Sequence, residues 1–248
     1  VRVRGSQRGA EDVIRSGLTF RPGQPFRKRE FLSSRKLLYR SGAFRSVLLG
    51  LPDSIREASP VDVVVSVSER KPRSIKLGGG YGTEEQLRAS LSWQHRNFLG
   101  HVRHLRLEAE ASALESKATL DLTQPYVWGS RTWLNLAGFI ERARPEEVRV
   151  KRVGGSGSLE RYLRDTGRLA FIVRADLVDF KADSTSTSFQ VVFEEDTRDD
   201  FFNPREGYLV NLEAKESGFL FQSDHEFLKI TAESRWYRQI AWRGVLAF

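Results

Sequence analysis

Three histidines, a run of acids and a cluster of glycines are the residues most able to do chemistry in this chain of 248 residues. His95, His101 and His104 are close in sequence, and a metal would need their nitrogens to converge on one point. Two of them flank a predicted turn, and no regular spacing places all three on one face, so they read as solvated turn histidines. Glu194, Glu195, Asp196, Asp199 and Asp200 offer enough carboxylate oxygen for calcium but lack the ligand spacing of an EF-hand loop. A turn suits them better: Asp200 and Asn203 can bond nearby backbone N–H groups, Pro204 presets φ, and Gly207 permits a positive φ. Arg198 is available to pair with one of these acids. "GGGYGT", from Gly78, lacks both the Lys-Ser/Thr of a phosphate-binding loop and the third glycine of a dinucleotide fingerprint. The chain offers no Ser-His-Asp order, and its carboxylates are interleaved with arginine, as in a solvated face or a polar lumen. It has no cysteine, which excludes disulfides and Cys-based metal or redox sites. The expectation is a protein that is not an enzyme, with no cofactor and no metal.

Charge and hydropathy narrow the classes further. The net charge of +8 is spread along the chain, with Arg and Glu often two residues apart, whereas a nucleic-acid binder would cluster its cations with aromatics between them. No nucleic-acid partner is expected. A mean hydropathy of -0.43, with no long apolar run, excludes a helical membrane protein. The same test is blind to a membrane β-barrel, whose strands turn only every second residue to lipid. "VRVRGSQRGA" is not a signal peptide and has no initiator Met, so a start inside a longer precursor is expected.

The residues capable of chemistry must be held by two differently patterned regions, which divide near Pro72. Residues 1–72 read as β-α-α-β-β: "VRVRG" as a strand, "GAEDVIRSGL" as a short helix stopped by Gly17, "RKREFLSSRKLLYRSG" as an amphipathic helix ended by Gly42, then "AFRSVLLGL" and "PVDVVVSVSER" as strands. In the last, Val61, Val63 and Val65 share one face and Val64 takes the other. Residues 73–248 alternate with period two. Leu87, Ala89, Leu91 and Trp93 interleave with polar residues, as do Leu105, Leu107, Ala109 and Ala111. The pattern runs on to the end as about 11 antiparallel strands, including "VRVKRVGGSGSL", whose glycines would otherwise suggest a linker.

These strands, roughly 9 to 12 residues each, match a tilted bilayer crossing. Aromatics such as Trp93, Tyr126, Trp128, Trp133, Tyr162, Phe180, Tyr208, Trp236 and Tyr237 fall near strand ends, where membrane girdles need them. A soluble β-sandwich or lipocalin-like barrel also alternates, but would pack its apolar face inward with bulky residues. Here that face carries Ala89, Ala109, Ala111, Ala113 and Ala118, while the other is crowded with charge. A thin apolar exterior around a polar lumen fits this composition better.

"LLYRSGAFRSV", "VDVVVSVSER" and "IKLGGGYGTEEQLRASLSWQHRNFLG" resemble the last POTRA domain and first barrel strands of BamA/TamA-type outer-membrane assembly factors. "EEDTRDDFFNPREGYLVNLE" resembles another segment of that family, in which an acidic pair and a Pro-x-x-Gly turn join two strands. The resemblance covers nearly the whole chain, with the motifs in the family's order. It implies an α+β POTRA domain in the periplasm over 1–72 and the N-terminal part of an antiparallel transmembrane β-barrel over 73–248. About 11 of the sixteen strands of a family barrel would be present. An odd count would leave Phe248 on the outer side, so an incomplete barrel is expected. The "VRG" from Val3 to Gly5 belongs to the first strand and does not stand for the family's late-loop motif.

With the first barrel strand running outward, the turns "HRNFLG", "QPYVWGS", "RYLRDTG", "DDFFNPREG" and "WYRQ" would be periplasmic; "GTEE", "ALES", "RARPEE", "KADSTS" and "GFLFQSD" would be outer connections. The resemblance implies a lateral seam at the first strand, Ile75, Leu77, Gly78, Gly79, Gly80 and Tyr81. Glycine weakens a strand by roughly 0.5–1 kcal/mol relative to Ala, and a weak strand can open. The bland alternative is that the glycines relieve crowding at a barrel corner or bulge. Arg96, Asn97, Gly100, Asp200, Asn203, Pro204 and Gly207 would form the periplasmic turn motifs. The expected partners are unfolded outer-membrane proteins, the lipid bilayer, and accessory periplasmic or membrane subunits. The expected role is insertion of clients in a bacterial-type outer membrane. The alternative is a two-partner-type secretion channel exporting one protein through the lumen.

Overall fold

Period-two alternation becomes strand after strand in the computed structural model, which describes residues 1–6, 11–50, 63–144, 150–164, 166–180, 182–241 and 244–248. The N-terminal region contains β1 (Arg2–Arg4), α1 (Glu11–Ser16), α2 (Lys28–Arg40), β2 (Phe44–Gly50) and β3 (Val64–Glu69). β3 is the central strand, parallel to β1 and antiparallel to β2. The expected order of elements is present; Val61 lies outside the described residues.

Small side chains let α2 lie close to the chain that precedes it. Ser33 and Ser34 are buried and return their hydroxyls to Arg29 and Glu30 carbonyls of their own helix. The Thr19 amide donates to Ser34 Oγ at 2.9 Å, and its hydroxyl donates to the Glu30 carbonyl at 2.8 Å. The helix ends where Ser41 and Gly42 donate N–H to Leu37 and Tyr39 carbonyls, with Gly42 at φ +70°. Ile14, Leu38, Phe44, Val47 and Val65 form the core, all essentially inaccessible to solvent.

The second region is one antiparallel sheet of 11 strands in chain order: β4 (Arg73–Gly82), β5 (Gln86–His95), β6 (His104–Ala111), β7 (Glu115–Gln124), β8 (Thr132–Ala143), β9 (Val150–Leu163), β10 (Gly167–Phe180), β11 (Ala182–Asp196), β12 (Gly207–Ser217), β13 (Phe227–Ala241) and β14 (Gly244–Ala247). Among the described residues β4 and β14 each have one hydrogen-bonded neighbour. Two expected connections move: "WYRQ" lies inside β13, and most of "KADSTS" lies inside β11, because ladder pairing runs on through both, Trp236 and Tyr237 with β12 and Ala182 to Ser186 with β10. The glycine-rich "GGSGS" is strand, as expected. A Cβ at Gly154 would lie 2.7 Å from the Ala175 carbonyl oxygen and 2.8 Å from the Phe139 ring, so glycine is what lets β9 pass its neighbours.

The chain divides into two compact units, Val1–Ala137 and Gly138–Phe248. In the first, register sets Ile75, Trp93, Leu107 and Leu120 in one row and Leu77, Leu91, Ala109 and Ala118 in the next, while Gln94, Arg106 and Asp121 share the opposite face. In the second, Phe171, Val191 and Ala214 align in one row and Leu169, Phe193, Leu212 and Ala232 in another. Their opposite face carries Arg168 between Glu160 and Glu194 at 3.5 and 3.3 Å, and Arg174 with Asp176 at 2.7 Å.

The apolar rows are the exposed ones. Leu77, Leu87, Leu177, Leu228 and Ile230 all lie open on the surface. In water each would forgo roughly 1.5–3 kcal/mol of burial, a large share of a domain's net stability. Lipid removes that penalty, and the ladders satisfy the backbone polar groups between neighbouring strands. The soluble alternative, with its aliphatic face packed inward, is not this arrangement.

Candidate functional site

All six residues expected at the seam lie on β4. Ile75, Leu77 and Tyr81 project from the apolar face and are 64%, 79% and 79% exposed. The glycines between them are not equivalent. A Cβ at Gly78 would come within 2.4 Å of Ser90 Oγ, a side chain able to rotate away. At Gly79 the nearest atom would be 3.9 Å off, and at Gly80 there is nothing within 4 Å. Crowding therefore does not account for Gly79 or Gly80. Their effect is on the strand itself: no cross-strand side-chain contact, and more backbone freedom to lose.

The turn joining β5 to β6 holds Arg96, Asn97 and Gly100. Arg96 donates its backbone N–H to the Pro72 carbonyl at 2.7 Å and its guanidinium to the Lys71 carbonyl at 3.1 Å, tying the turn to the segment that leads into β4. Asn97 Oδ1 accepts the Val102 N–H at 3.0 Å. Leu99, Gly100, His101 and Val102 all have φ between +53° and +78°, a left-handed run that the Asn97 bond helps to hold.

The turn joining β11 to β12 holds Asp200, Asn203, Pro204 and Gly207. Asp200 Oδ1 accepts N–H from Phe202 and Asn203 at 2.8 and 2.7 Å, so Asn203 contributes its backbone donor here. Asp199 does an equal share: its Oδ1 accepts N–H from Arg205 at 2.8 Å and Glu206 at 3.1 Å. These bonds, led by that from Arg205, hold the Asp199 carboxyl below its ordinary pKa. Gly207 has φ +103°, and a Cβ there would lie 2.5 Å from the Thr197 carbonyl oxygen. Arg198 pairs with Asp196 through two bonds of 2.8 and 2.7 Å, which keep its guanidinium charged.

The residues that join the N-terminal module to the sheet carried no motif. Tyr126, in the turn between β7 and β8, is buried, and its hydroxyl donates to the Leu37 carbonyl of α2 at 3.1 Å. Burial raises its phenol pKa, so it remains a donor through the neutral range. Trp133 is buried beside it, edge-on at 6.1 Å, so neither ring belongs to a membrane girdle. Gly17 leaves room for them: a Cβ there would meet Leu38 at 2.7 Å and the Tyr126 ring at 3.0 Å. At Gly42 a Cβ would lie 2.8 Å from the His104 ring, so His104 is packed against the module rather than solvated. Arg40 and Ser41 also line a cavity of about 450 Å³ with His104, Arg106, Asp121 and Thr123 of the polar face. The signal available in sequence was the pair of glycines closing α1 and α2, read there only as helix stops. Among the described residues no three His, Cys, Asp or Glu side chains form a metal-binding group.

A sheet with an apolar exposed face, a charged opposite face and an N-terminal module against its first turns defines a class of membrane-barrel protein. Residues 97–247 match the Omp85 superfamily domain, and the chain belongs to that superfamily, in its BamA/TamA-type branch. It is 22% identical over 248 residues to the outer membrane protein assembly factor BamA of Neorickettsia risticii, covering 92% of this chain and 33% of that protein. The chain thus spans about a third of that relative's length. In fold it resembles the crystal structure of BamA from Haemophilus ducreyi lacking POTRA domains 1–3, with TM-score 0.65 at 18% identity, covering all of this chain and 54% of that one. It also resembles CdiB from Acinetobacter baumannii, with TM-score 0.61 at 10% identity, over 95% of this chain and 48% of that one.

Proposed function

We propose that the chain is part of an outer-membrane β-barrel assembly factor that works without catalysis. The N-terminal module is a periplasmic POTRA domain that receives unfolded clients, and β4 is the strand at which client strands are templated into the bilayer. The relative from Neorickettsia risticii is named for outer-membrane protein assembly, which supports this reading. The observation that carries it is that β4, the first strand of the sheet, has glycines at 79 and 80 that no neighbour requires. An edge strand presents unpaired N–H and C=O groups to an incoming strand, and a weakened one exchanges partners more readily. The exposed apolar rows support placement in the outer membrane. The glycine effect is energetic, so no nucleotide or metal is required.

Reconstitution tests it. The protein in liposomes should accelerate folding of unrelated β-barrel clients, and Gly79→Val with Gly80→Val should reduce that rate. Recovering roughly 0.5–1 kcal/mol per site predicts a loss of about 5–30-fold, with the protein's own barrel intact. An unchanged rate would remove the seam. Export of one soluble partner with no acceleration of barrels would favour the secretion channel, whose fold-level support is the likeness to CdiB.

A further inference from the structure

Phe219, Leu220 and Phe221 form three consecutive large apolar residues in the connection from β12 to β13, and they are 67%, 65% and 43% exposed. Such a run on a surface is costly unless it has a partner. The tip is also firmly held. Glu216 Oε2 accepts N–H from both Phe219 and Leu220 at 3.2 Å. Gly218, at φ +88°, turns the chain beside Glu226. On the far side, Ser217 Oγ bonds Ser223 Oγ at 3.0 Å and donates to the Thr187 carbonyl at 2.8 Å, and the Asp224 N–H donates to the Thr185 carbonyl at 2.9 Å.

The position of Glu216 shows which way the tip lies. Register places it between Phe189 and Leu228, in the row that continues the apolar face through Ala214, Leu212 and Val210. The carboxylate that captures the tip's amides therefore belongs to the apolar side of the sheet, and the connection folds over it there. Glu216 is buried as a result. Height agrees: the 11 residues of β12 rise about 37 Å along the strand, or roughly 28 Å at a tilt of about 40°, close to the thickness of a barrel's apolar band. The tip begins where that band ends.

We propose that Phe219, Leu220 and Phe221 are a lipid anchor, bedded at the boundary of headgroups and acyl chains where β12 meets β13. The anchor rests on the reading of this sheet as membrane-spanning. Continuity with the apolar face through Glu216 selects lipid over a protein partner approaching from water. The aromatic rings suit that boundary, and the hydrogen-bonded base avoids the cost of ordering a loose loop on insertion.

The 248 residues contain no cysteine, so single cysteines can report by position. Leu220→Cys, Leu212→Cys and Glu213→Cys variants of the protein, each labelled with an environment-sensitive fluorophore, are reconstituted in phosphatidylethanolamine/phosphatidylglycerol liposomes. Nitroxides carried near the headgroup or deep in the acyl chain then quench from the lipid, and iodide from water. The anchor predicts a blue-shifted label at 220, quenched several-fold more by the shallow nitroxide than by iodide. Position 212 should be quenched by the deep nitroxide and position 213 by neither nitroxide strongly. Lipid contact at 212 with a water-exposed label at 220 overturns the anchor alone; water exposure at both overturns the membrane sheet with it. Protection at 220 only after a protein partner is added also overturns it. Should Leu220→Cys fail to fold, Phe221→Cys carries the same measurement.

Discussion

Tyr126 fastens the N-terminal module to the sheet through both its ring and its hydroxyl. Its ring fills the space left by Gly17, and its hydroxyl bonds the Leu37 carbonyl, which also accepts the Ser41 N–H. Tyr126→Phe keeps the ring and removes one hydrogen bond without orphaning the carbonyl. The expected cost is about 1 kcal/mol. Hydrogen exchange at Ser41 and Gly42 should rise by about 5-fold. Unaltered exchange there would mean that packing, not the hydroxyl, seats the turn. Neither Tyr126 nor His104 could be assigned this contact from sequence, because a partner more than 60 residues away leaves no local periodicity. Both were read from nearby spacing, as girdle aromatic and turn histidine.

Strands and turns were legible to different degrees. The 11 strands follow from alternation, since a period of two dictates which residues share a face. Their ends were less so: Trp236 to Gln239 carry turn-like polarity, yet β13 runs on to Ala241. In the turn from β11 to β12, Asp200, Pro204 and Gly207 announced themselves by type. Asp199 did not, because an acid in an acidic run looks like any other until the chain folds back on it. Its bonds come from the carboxylate, whose folded pKa is depressed, so they contribute above the ordinary Asp value of 3.8 and fade as pH falls through the lower folded value. Amide exchange at Arg205 and Glu206, corrected for intrinsic rates, should stay constant from neutral pH down to that range and rise below it. A rise beginning near neutral pH would assign the turn's order to another group.

For the molecule as a whole, the compact unit Val1–Ala137 joins the module to the first strands of the sheet. The Arg70 N–H donates to the Ala43 carbonyl, and its guanidinium to that of Phe44, just before the chain enters β4. Phe44 is 1% exposed, and Phe44→Ala should cost about 3–5 kcal/mol. The loss should raise exchange in the turn at 96–103 as well as in the module, with β10 to β12 unchanged. A response confined to the module would show that the two are not coupled.

The left-handed run from Leu99 to Val102 has one more consequence. L-residues resist this hand at roughly 1–2 kcal/mol each, so the bend keeps its shape only because the Asn97 bond and the burial of Val102 hold it. It delivers Val102, 2% exposed, to the wall of a small cleft that Ala43 and Phe44 also line. A shift of the segment that leads out of the module would reach this bend through the Arg96 bonds to Lys71 and Pro72, and with it β5, the strand paired directly with the glycines of β4.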